Sequence, residues 1–140
     1  MIREFRMSDV EQVMKLWLVG NKDAHSFVPE DYWHFHYSEV QEALLKAEVF
    51  VYDTGEKIQG FVGMINEYIA GIFVDKDFRS HGIGAQLLNY IKQRHDRLSL
   101  EVYQKNVRAI AFYHRENFSI LSEASDEDTG ENEYIMVWEK

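Results

Sequence analysis

The sequence predicts one α/β domain, α+β in arrangement, with a single central mixed sheet of about six to seven strands flanked by about four helices. Three apolar runs of strand length follow one another with short turns, which is typical of an antiparallel meander. The third run then passes through a glycine loop into a helical pattern and a further strand. At 140 residues, the chain is the size of one domain, and we expect residues 1–140 to share one core.

The N-terminal part predicts a strand and two helices. Ile2–Arg6 has strand character, and Ser8 with Glu11 forms the pattern of a capping box. The first helix is expected to stop at Gly20–Asn21, and the second to run from about Pro29 to Lys46. Apolar residues fall at helical spacing in the first helix at Val10, Val13, Met14 and Trp17.

The middle of the chain predicts the meander and a crossover. Its three strands are Val49–Tyr52, Ile58–Ile65 and Tyr68–Val74. A helix starts near Gly84, and Leu98–Val102 is the next strand. A single β-α-β connection makes the strands on either side of the helix parallel neighbours.

The C-terminal part predicts a fourth helix and two last strands. Asn106–Glu116 is the helix, and Asn117 suits the left-handed conformation of a helix end. The strands are Phe118–Leu121 and Tyr134–Trp138, and we interpret the acidic loop Asp126–Glu133 between them as a solvated hairpin tip.

Composition excludes several classes of protein. No cysteine is present, which excludes disulfides, thiolate metal sites and a cysteine nucleophile. A net charge of -9 argues against a nucleic-acid binder and suits a cationic or amine-bearing partner better. The chain has no apolar signal run and no membrane span, so we expect a cytoplasmic protein that contacts neither nucleic acid nor membrane.

A metal site is not expected. His34 and His36 lie in a segment crowded with aromatic rings, but residues two apart on a helix do not share a face. No third ligand accompanies them, and tetrahedral metal sites need three or four.

The strand, glycine loop and helix around Gly82-x-Gly84 are suited to hold a phosphate. Backbone N–H groups in the loop and in the first helical turn point toward such a ligand, and the helix dipole favours its negative charge. Two nucleotide folds compete for this pattern. The dinucleotide fingerprint needs Gly or Ala where Leu87 stands, and no Walker lysine motif is present, so the context disfavours both.

Arg79–Gly84 resembles the Gln/Arg-x-x-Gly-x-Gly/Ala signature of the GNAT superfamily of acyl-CoA-dependent N-acetyltransferases. Leu98–Asn106 and Ala109–Tyr113 are similar to the second cofactor segment of that family, and the order of elements matches over essentially the whole chain. Leu16–Trp17 and His25–Trp33 resemble a branch of small bacterial members. The chain departs from the family pattern at Lys76, where proline is frequent, and at Asn117, where glycine is usual.

The resemblance implies that acetyl-coenzyme A is the co-substrate and that no metal takes part. It places the pyrophosphate on the backbone of the Arg79–Ala85 loop and the pantetheine arm along Ile72–Val74, with a backbone N–H near Phe73 or Val74 facing the thioester oxygen. Asn106 resembles a side chain that steadies this arm. The implied cofactor-binding residues are Phe73, Val74, Arg79, Ser80, His81, Gly82, Ile83, Gly84, Ala85, Asn106 and Tyr113.

The resemblance also suggests the catalytic groups. Tyr113, seven residues after Asn106, resembles the tyrosine proposed to protonate the leaving thiolate in relatives that modify ribosomal-protein N-termini. Glu101 matches the glutamate proposed there as base, with Glu67, Tyr68 and His25 as alternatives. The implied acceptor-binding residues are His25, Phe27, Trp33 and Tyr68.

The expected function is therefore transfer of acetyl from acetyl-coenzyme A to a primary amine by direct attack in a ternary complex. The acceptor is a protein lysine, a protein N-terminus or a small amine, and the protein is a monomer or homodimer. The alternative is a non-catalytic acyl-CoA-binding regulatory module. Such a module would keep the glycine loop and would lack the general acid. Both Tyr113 and Glu101 are present, which favours the enzyme.

Overall fold

Seven strands and four helices make up the structure, a computed structural model that describes residues 1–140. The strands are β1 Ile2–Glu4, β2 Glu48–Asp53, β3 Ile58–Ile65, β4 Tyr68–Val74, β5 Arg97–Tyr103, β6 Ser119–Ser125 and β7 Asn132–Glu139. The helices are α1 Val10–Ala24, α2 Glu30–Leu44, α3 Ile83–Lys92 and α4 Val107–Arg115. One mixed sheet has the order β1-β2-β3-β4-β5-β7-β6, which confirms the predicted fold class.

The sheet separates two apolar cores, because successive side chains of a strand point to opposite faces. On β2, Val49 and Val51 join the core beneath α1 and α2, whereas Phe50 joins the core beneath α3 and α4. On β5, Leu98, Leu100 and Val102 enter the second core, and Tyr103 enters the first. The helices therefore cover both faces of the sheet.

The cap before α1 differs from the predicted Ser8 and Glu11 pair. Asp9 is buried, and its carboxylate accepts a hydrogen bond from the backbone N–H of Arg6 at 2.7 Å and an ion-paired hydrogen bond from Arg3 at 2.8 Å. Arg3 is the principal cause of the lowered pKa of Asp9. The predicted pair is replaced because Asp9 caps the backbone of Arg6 three residues earlier and is held in place by Arg3 from β1.

The predicted end of α1 at Gly20–Asn21 is also wrong, since the helix continues to Ala24. Gly20 is buried, and a Cβ on it would come within 2.7 Å of the Phe73 ring. A Cβ on Gly71 would meet the same ring at 2.6 Å. Gly20 therefore serves close packing of α1 on β4, a use of glycine that does not require the helix to end.

The C-terminal elements follow the prediction with longer strands. β6 and β7 extend further into the acidic segment than predicted, which leaves residues 126–131 as the connecting loop. Asn117 has a φ of 71°, so it takes the left-handed conformation that its position after α4 requires.

β4 and β5 are parallel neighbours, as predicted, but they pair at one register position only, Tyr68 with Ser99. The backbone N–H of Ser99 also donates to the carbonyl of Glu67 at 3.0 Å. On its other side, β4 pairs with β3 from Tyr68 to Val74. The carboxyl-terminal halves of β4 and β5 are therefore separated by a gap in an otherwise continuous sheet.

Candidate active site

A cleft of about 800 Å³ opens where β4 and β5 part. It is bordered by the end of α1, the loop before α3 and the exposed side of α4. Most of the predicted site residues line it: His25, Trp33, Tyr68, Phe73, Val74, Arg79, Ser80, Gly82, Ile83, Gly84, Ala85, Glu101, Asn106 and Tyr113. Two do not. His81 is exposed outside the cleft, and Phe27 packs edge-on against His25 and Tyr103.

The loop before α3 presents unused backbone donors to the cleft. The N–H groups from Arg79 to Ala85 donate no hydrogen bond within the protein. Ser80 and Gly82 have φ values of 68° and 79°, which curve the loop, and no side chain caps the helix. A row of free N–H groups leading into a helix N-terminus is suited to an anion such as a phosphate. The residues present therefore fit the pyrophosphate of a nucleotide-containing cofactor.

The two glycines of the signature have different roles. Gly82 needs to be glycine for its left-handed φ, and a Cβ there would have no heavy atom closer than 3.9 Å. Gly84 lies inside α3, and a Cβ on it would meet the Phe112 ring of α4 at 3.1 Å. Gly82 thus shapes the loop, and Gly84 permits close contact between α3 and α4.

The loop end of the cleft is rich in arginine, although the chain as a whole is acidic. Arg79 donates to the carboxylate of Asp23 on α1 at 2.7 Å, and this hydrogen bond is the principal cause of the lowered pKa of Asp23. Arg108 and Arg115 of α4 line the same cleft. Positive side chains beside free backbone donors favour a ligand with several phosphates.

Tyr113 lies at the gap between the strands. Its side chain is 9% exposed, it lines the cleft, and it packs against Phe112 and Phe118. Burial, with a smaller contribution from Tyr68, raises the pKa of Tyr113 above its ordinary value. Like that of an ordinary tyrosine, the hydroxyl is protonated at neutral pH, and it makes no hydrogen bond to another side chain, so it is available as a proton donor.

The opposite end of the cleft is acidic. Glu101 of β5 and Glu133 of β7 both line it, and Tyr68 lies near them. Burial first, and then the charges of these two carboxylates, raise the pKa of Tyr68 to about 12. Sequence reasoning missed Glu133, because it was grouped with the acidic hairpin tip. Its place on β7 opposite Tyr103 is a matter of strand register, which the local pattern does not reveal.

His25 connects two sides of the cleft. The Oδ1 of Asn106 accepts from the N–H of Ala109, so its Nδ2 faces His25 Nε2 at 3.1 Å and donates to it. The other ring nitrogen, Nδ1, then donates to Oδ1 of Asn21 at 3.1 Å. Burial lowers the pKa of His25 to about 4. The neutral ring uses both nitrogens to link the end of α1 to the start of α4.

Two further structural features bear on function. No three His, Asp or Glu side chains converge as a possible metal site; His34 is exposed, and His36 pairs with Glu39 on its own helix. None of the four helices has the length and apolar character that crossing a bilayer would require.

Comparison with known proteins places this cleft in context. A family model described as the acetyltransferase (GNAT) domain matches residues 46–120. The peptidyl-lysine N-acetyltransferase YiaC of Escherichia coli is 36% identical to the chain, over 99% of this chain and 96% of YiaC. The peptidyl-lysine N-acetyltransferase YjaB of Salmonella typhimurium is 25% identical, over 92% of this chain and 90% of YjaB.

Solved structures share the fold at lower identity. The solution structure of apo-form YjaB from Escherichia coli has a TM-score of 0.86 at 20% identity and covers 98% of this chain and 95% of its own. An aminoglycoside 6'-N-acetyltransferase solved with coenzyme A has a TM-score of 0.75 at 14% identity, with coverage of 99% and 96%. The predicted resemblance to small bacterial members of one family is confirmed.

The different roles of the two glycines predict different responses to alanine. Gly84→Ala should lose much of the roughly 1 kcal/mol that alanine gains over glycine in helix propensity, because its methyl would lie 3.1 Å from the Phe112 ring, which must shift to make room. Adding Phe112→Leu should recover part of that loss. Gly82→Ala should cost about 1–2 kcal/mol through its left-handed φ, and Phe112→Leu should not rescue it. Urea unfolding of the single and double variants measures how strongly each glycine is coupled to Phe112. If the effects of Gly84→Ala and Phe112→Leu on the free energy of unfolding simply add, the contact between these two residues is contradicted.

The buried His25 predicts an acid-sensitive fold. Its pKa of about 4 lies below the ordinary value of 6.5, so the unfolded chain binds this proton at higher pH. The contribution to stability is therefore present above about pH 6.5 and is lost as the pH falls toward 4. We expect His25→Gln to flatten the dependence of unfolding free energy on pH in this window, measured by urea titration. The exposed His34→Gln is the control and should leave the slope unchanged; equal slopes for wild type and His25→Gln would exclude this role.

Proposed function

The chain belongs to the acetyltransferase (GNAT) family, and we propose that it transfers an acetyl group from acetyl-coenzyme A to the side-chain amine of protein lysines. The observation that carries the proposal is the arrangement of one cleft, with free backbone N–H groups at its loop end and the buried Tyr113 at the strand gap. The choice of protein lysine over an N-terminus or small amine rests on YiaC, which is named a peptidyl-lysine N-acetyltransferase.

The cofactor would be held mainly by backbone. The N–H groups from Arg79 to Ala85 suit its pyrophosphate, and Arg108 and Arg115 supply positive charge nearby. Beyond Tyr68, every second residue of β4 points its backbone N–H and C=O toward the gap. β5 does not pair with these groups. This edge of β4 therefore suits the pantetheine arm of the cofactor, which carries amide groups. When bound, acetyl-coenzyme A supplies the acetyl group as an activated thioester.

Tyr113 is suited to the role of general acid. Its hydroxyl is protonated at neutral pH, as that of an ordinary tyrosine is, and it lines the cleft without a competing hydrogen bond to another side chain. A proton held at this oxygen is available to a leaving thiolate. The role of Asn106 is less direct, since its side chain caps α4 and donates to His25; it keeps the helix that carries Tyr113 in place.

The acceptor must lose a proton before it attacks, and we assign this step to the acidic end of the cleft. Glu101 is exposed there and can take a proton directly from an ammonium group. The chain has no cysteine to form an acyl-enzyme, so direct attack in a ternary complex is the simplest sequence of events. Initial rates with both substrates varied should then give intersecting rather than parallel reciprocal plots.

The proposal predicts acetylation of lysine peptides. Incubation with acetyl-coenzyme A should release free thiol and add one acetyl group to peptides that carry lysine and a blocked N-terminus. A peptide with a free N-terminus and no lysine, and a panel of small amines, should react much more slowly. Coenzyme A binding with no transfer to any acceptor would favour the non-catalytic binding module.

Replacing Tyr113 by Phe should separate chemistry from binding. We expect kcat to fall by about 10² or more, because the proton donor is lost, with little change in the KM for acetyl-coenzyme A. Tyr90→Phe is the matched control, since this tyrosine packs against Phe50 away from the cleft. A Tyr113→Phe enzyme with the kcat of wild type would remove Tyr113 from the acid role.

A further inference from the structure

Glu133 lies beside Glu101 on the wall of the cleft. In the β5 and β7 ladder, Glu101 is opposite Ile135 and Tyr103 is opposite Glu133. The two glutamates therefore occupy diagonal positions on one face of the sheet, within reach of each other's long side chains. Both line the cleft, and the charge of Glu101 is one of the causes that raise the pKa of Glu133.

No cation of the chain neutralises this pair. Neither glutamate takes part in an ion pair with Lys, Arg or His. The nearest lysine of the segment after β5, Lys105, is paired instead with Glu131 at 2.9 Å. Two carboxyl groups that face a cleft without a counter-ion favour a cationic ligand.

The other groups around the pair are neutral or acidic. Tyr68 on β4 and Tyr32 on α2 both have their pKa raised to about 12, first by burial and in part by the charge of Glu133. Asp126 lies on the hairpin side, where its carboxylate accepts a hydrogen bond from the hydroxyl of Tyr103 at 2.9 Å. The groups whose charges or hydroxyls act near the pair are therefore two further tyrosines and one more carboxylate, and Lys105, which lines the same cleft, is paired with Glu131.

A second, independent feature of this cleft points to a ligand. Trp33 of α2 lines the cleft and is 6% exposed, and its indole Nε1 is buried with no hydrogen-bond partner in the protein. A buried donor without a partner is costly unless a ligand or solvent satisfies it. The α2 wall of the cleft thus carries a buried N–H donor that an acceptor atom of a ligand or of solvent would satisfy.

We infer that Glu133 acts with Glu101 as a carboxyl pair that binds the ammonium group of the acceptor and accepts its proton. The inference rests on the proposed acetyltransferase function and extends it to a second residue. In the step assigned to the pair, one N–H bond of the ammonium breaks, its electron pair stays on nitrogen, and the proton passes to a carboxylate oxygen. The neutral amine becomes the nucleophile, and the proton leaves to solvent through the cleft mouth.

The environment of Glu133 suits this task. Burial first, and then the charges of Glu101 and Asp126, raise the pKa of Glu133 to about 7. A carboxyl pair with this affinity for a proton binds and releases it near neutral pH, which is where a general base is most effective. A lone exposed glutamate with an ordinary pKa of about 4.3 is a much weaker proton acceptor.

The test compares Glu133→Gln, Glu133→Asp and the control Glu127→Gln. Glu127 is exposed in the same hairpin loop and does not line the cleft. We expect Glu133→Gln to lower kcat/KM for a lysine peptide by about tenfold or more, with the KM for acetyl-coenzyme A unchanged. Its acid limb in the pH–rate profile should move to lower pH, because the carboxyl group with the raised pKa is no longer present. Glu133→Asp should keep the limb near that of wild type, and Glu127→Gln should match wild type throughout.

A second readout does not depend on turnover. Carboxyl carbon resonances of the free enzyme, labelled at glutamate, should show Glu133 titrating near pH 7 in wild type and at lower pH in Glu101→Gln, because the charge of Glu101 helps to raise the pKa of Glu133. Superimposable pH–rate profiles of wild type and Glu133→Gln, or a Glu133 titration that Glu101→Gln leaves unchanged, would overturn the inference. If the wild type is active and gives these results, only the carboxyl pair is excluded and the acetyltransferase function stands. If the wild type acetylates no amine, the acetyltransferase function itself is excluded.

Discussion

The incomplete pairing of β4 with β5 is the constraint on which the rest of the structure depends. The two parallel strands meet at Tyr68 and Ser99 and then part, although they are neighbours in one sheet. Backbone polar groups in the interior are costly without partners, so a gap of this kind persists only where a ligand or solvent uses them. The gap therefore creates a polar edge in the middle of the domain and gives Tyr113 a cleft to face.

The helices hold this gap in shape through contacts that cross it. Asn21, His25 and Asn106 link the end of α1 to the start of α4 in a chain of hydrogen bonds. Near the mouth, Arg79 and Asp23 form an ion pair between the loop and α1. A partly exposed ion pair contributes little to stability, but it orients the arginine beside the loop donors. The site is thus organised by polar contacts between elements that are distant in sequence.

The cleft carries both positive and negative side chains, although the chain as a whole is acidic. Its loop end carries arginines beside free backbone donors, and its strand end carries Glu101 and Glu133. A local field of each sign attracts a different ligand, since a narrow cleft focuses the potential of the charges that line it. Under the proposed function, an anionic cofactor and a cationic acceptor would therefore be bound by different groups of the same cleft.

By itself, the sequence determined the order and type of the elements, the loop that follows β4 and the turn at Asn117, because periodicity and turn chemistry depend on neighbouring residues. The functions of Gly20 and of Gly84 as packing positions, and the place of Glu133 beside Glu101, were decided only by the tertiary structure. Each of these features depends on a side chain that is distant in sequence. Strand register and helix packing decide which distant groups come together, and a local sequence pattern carries no information about either.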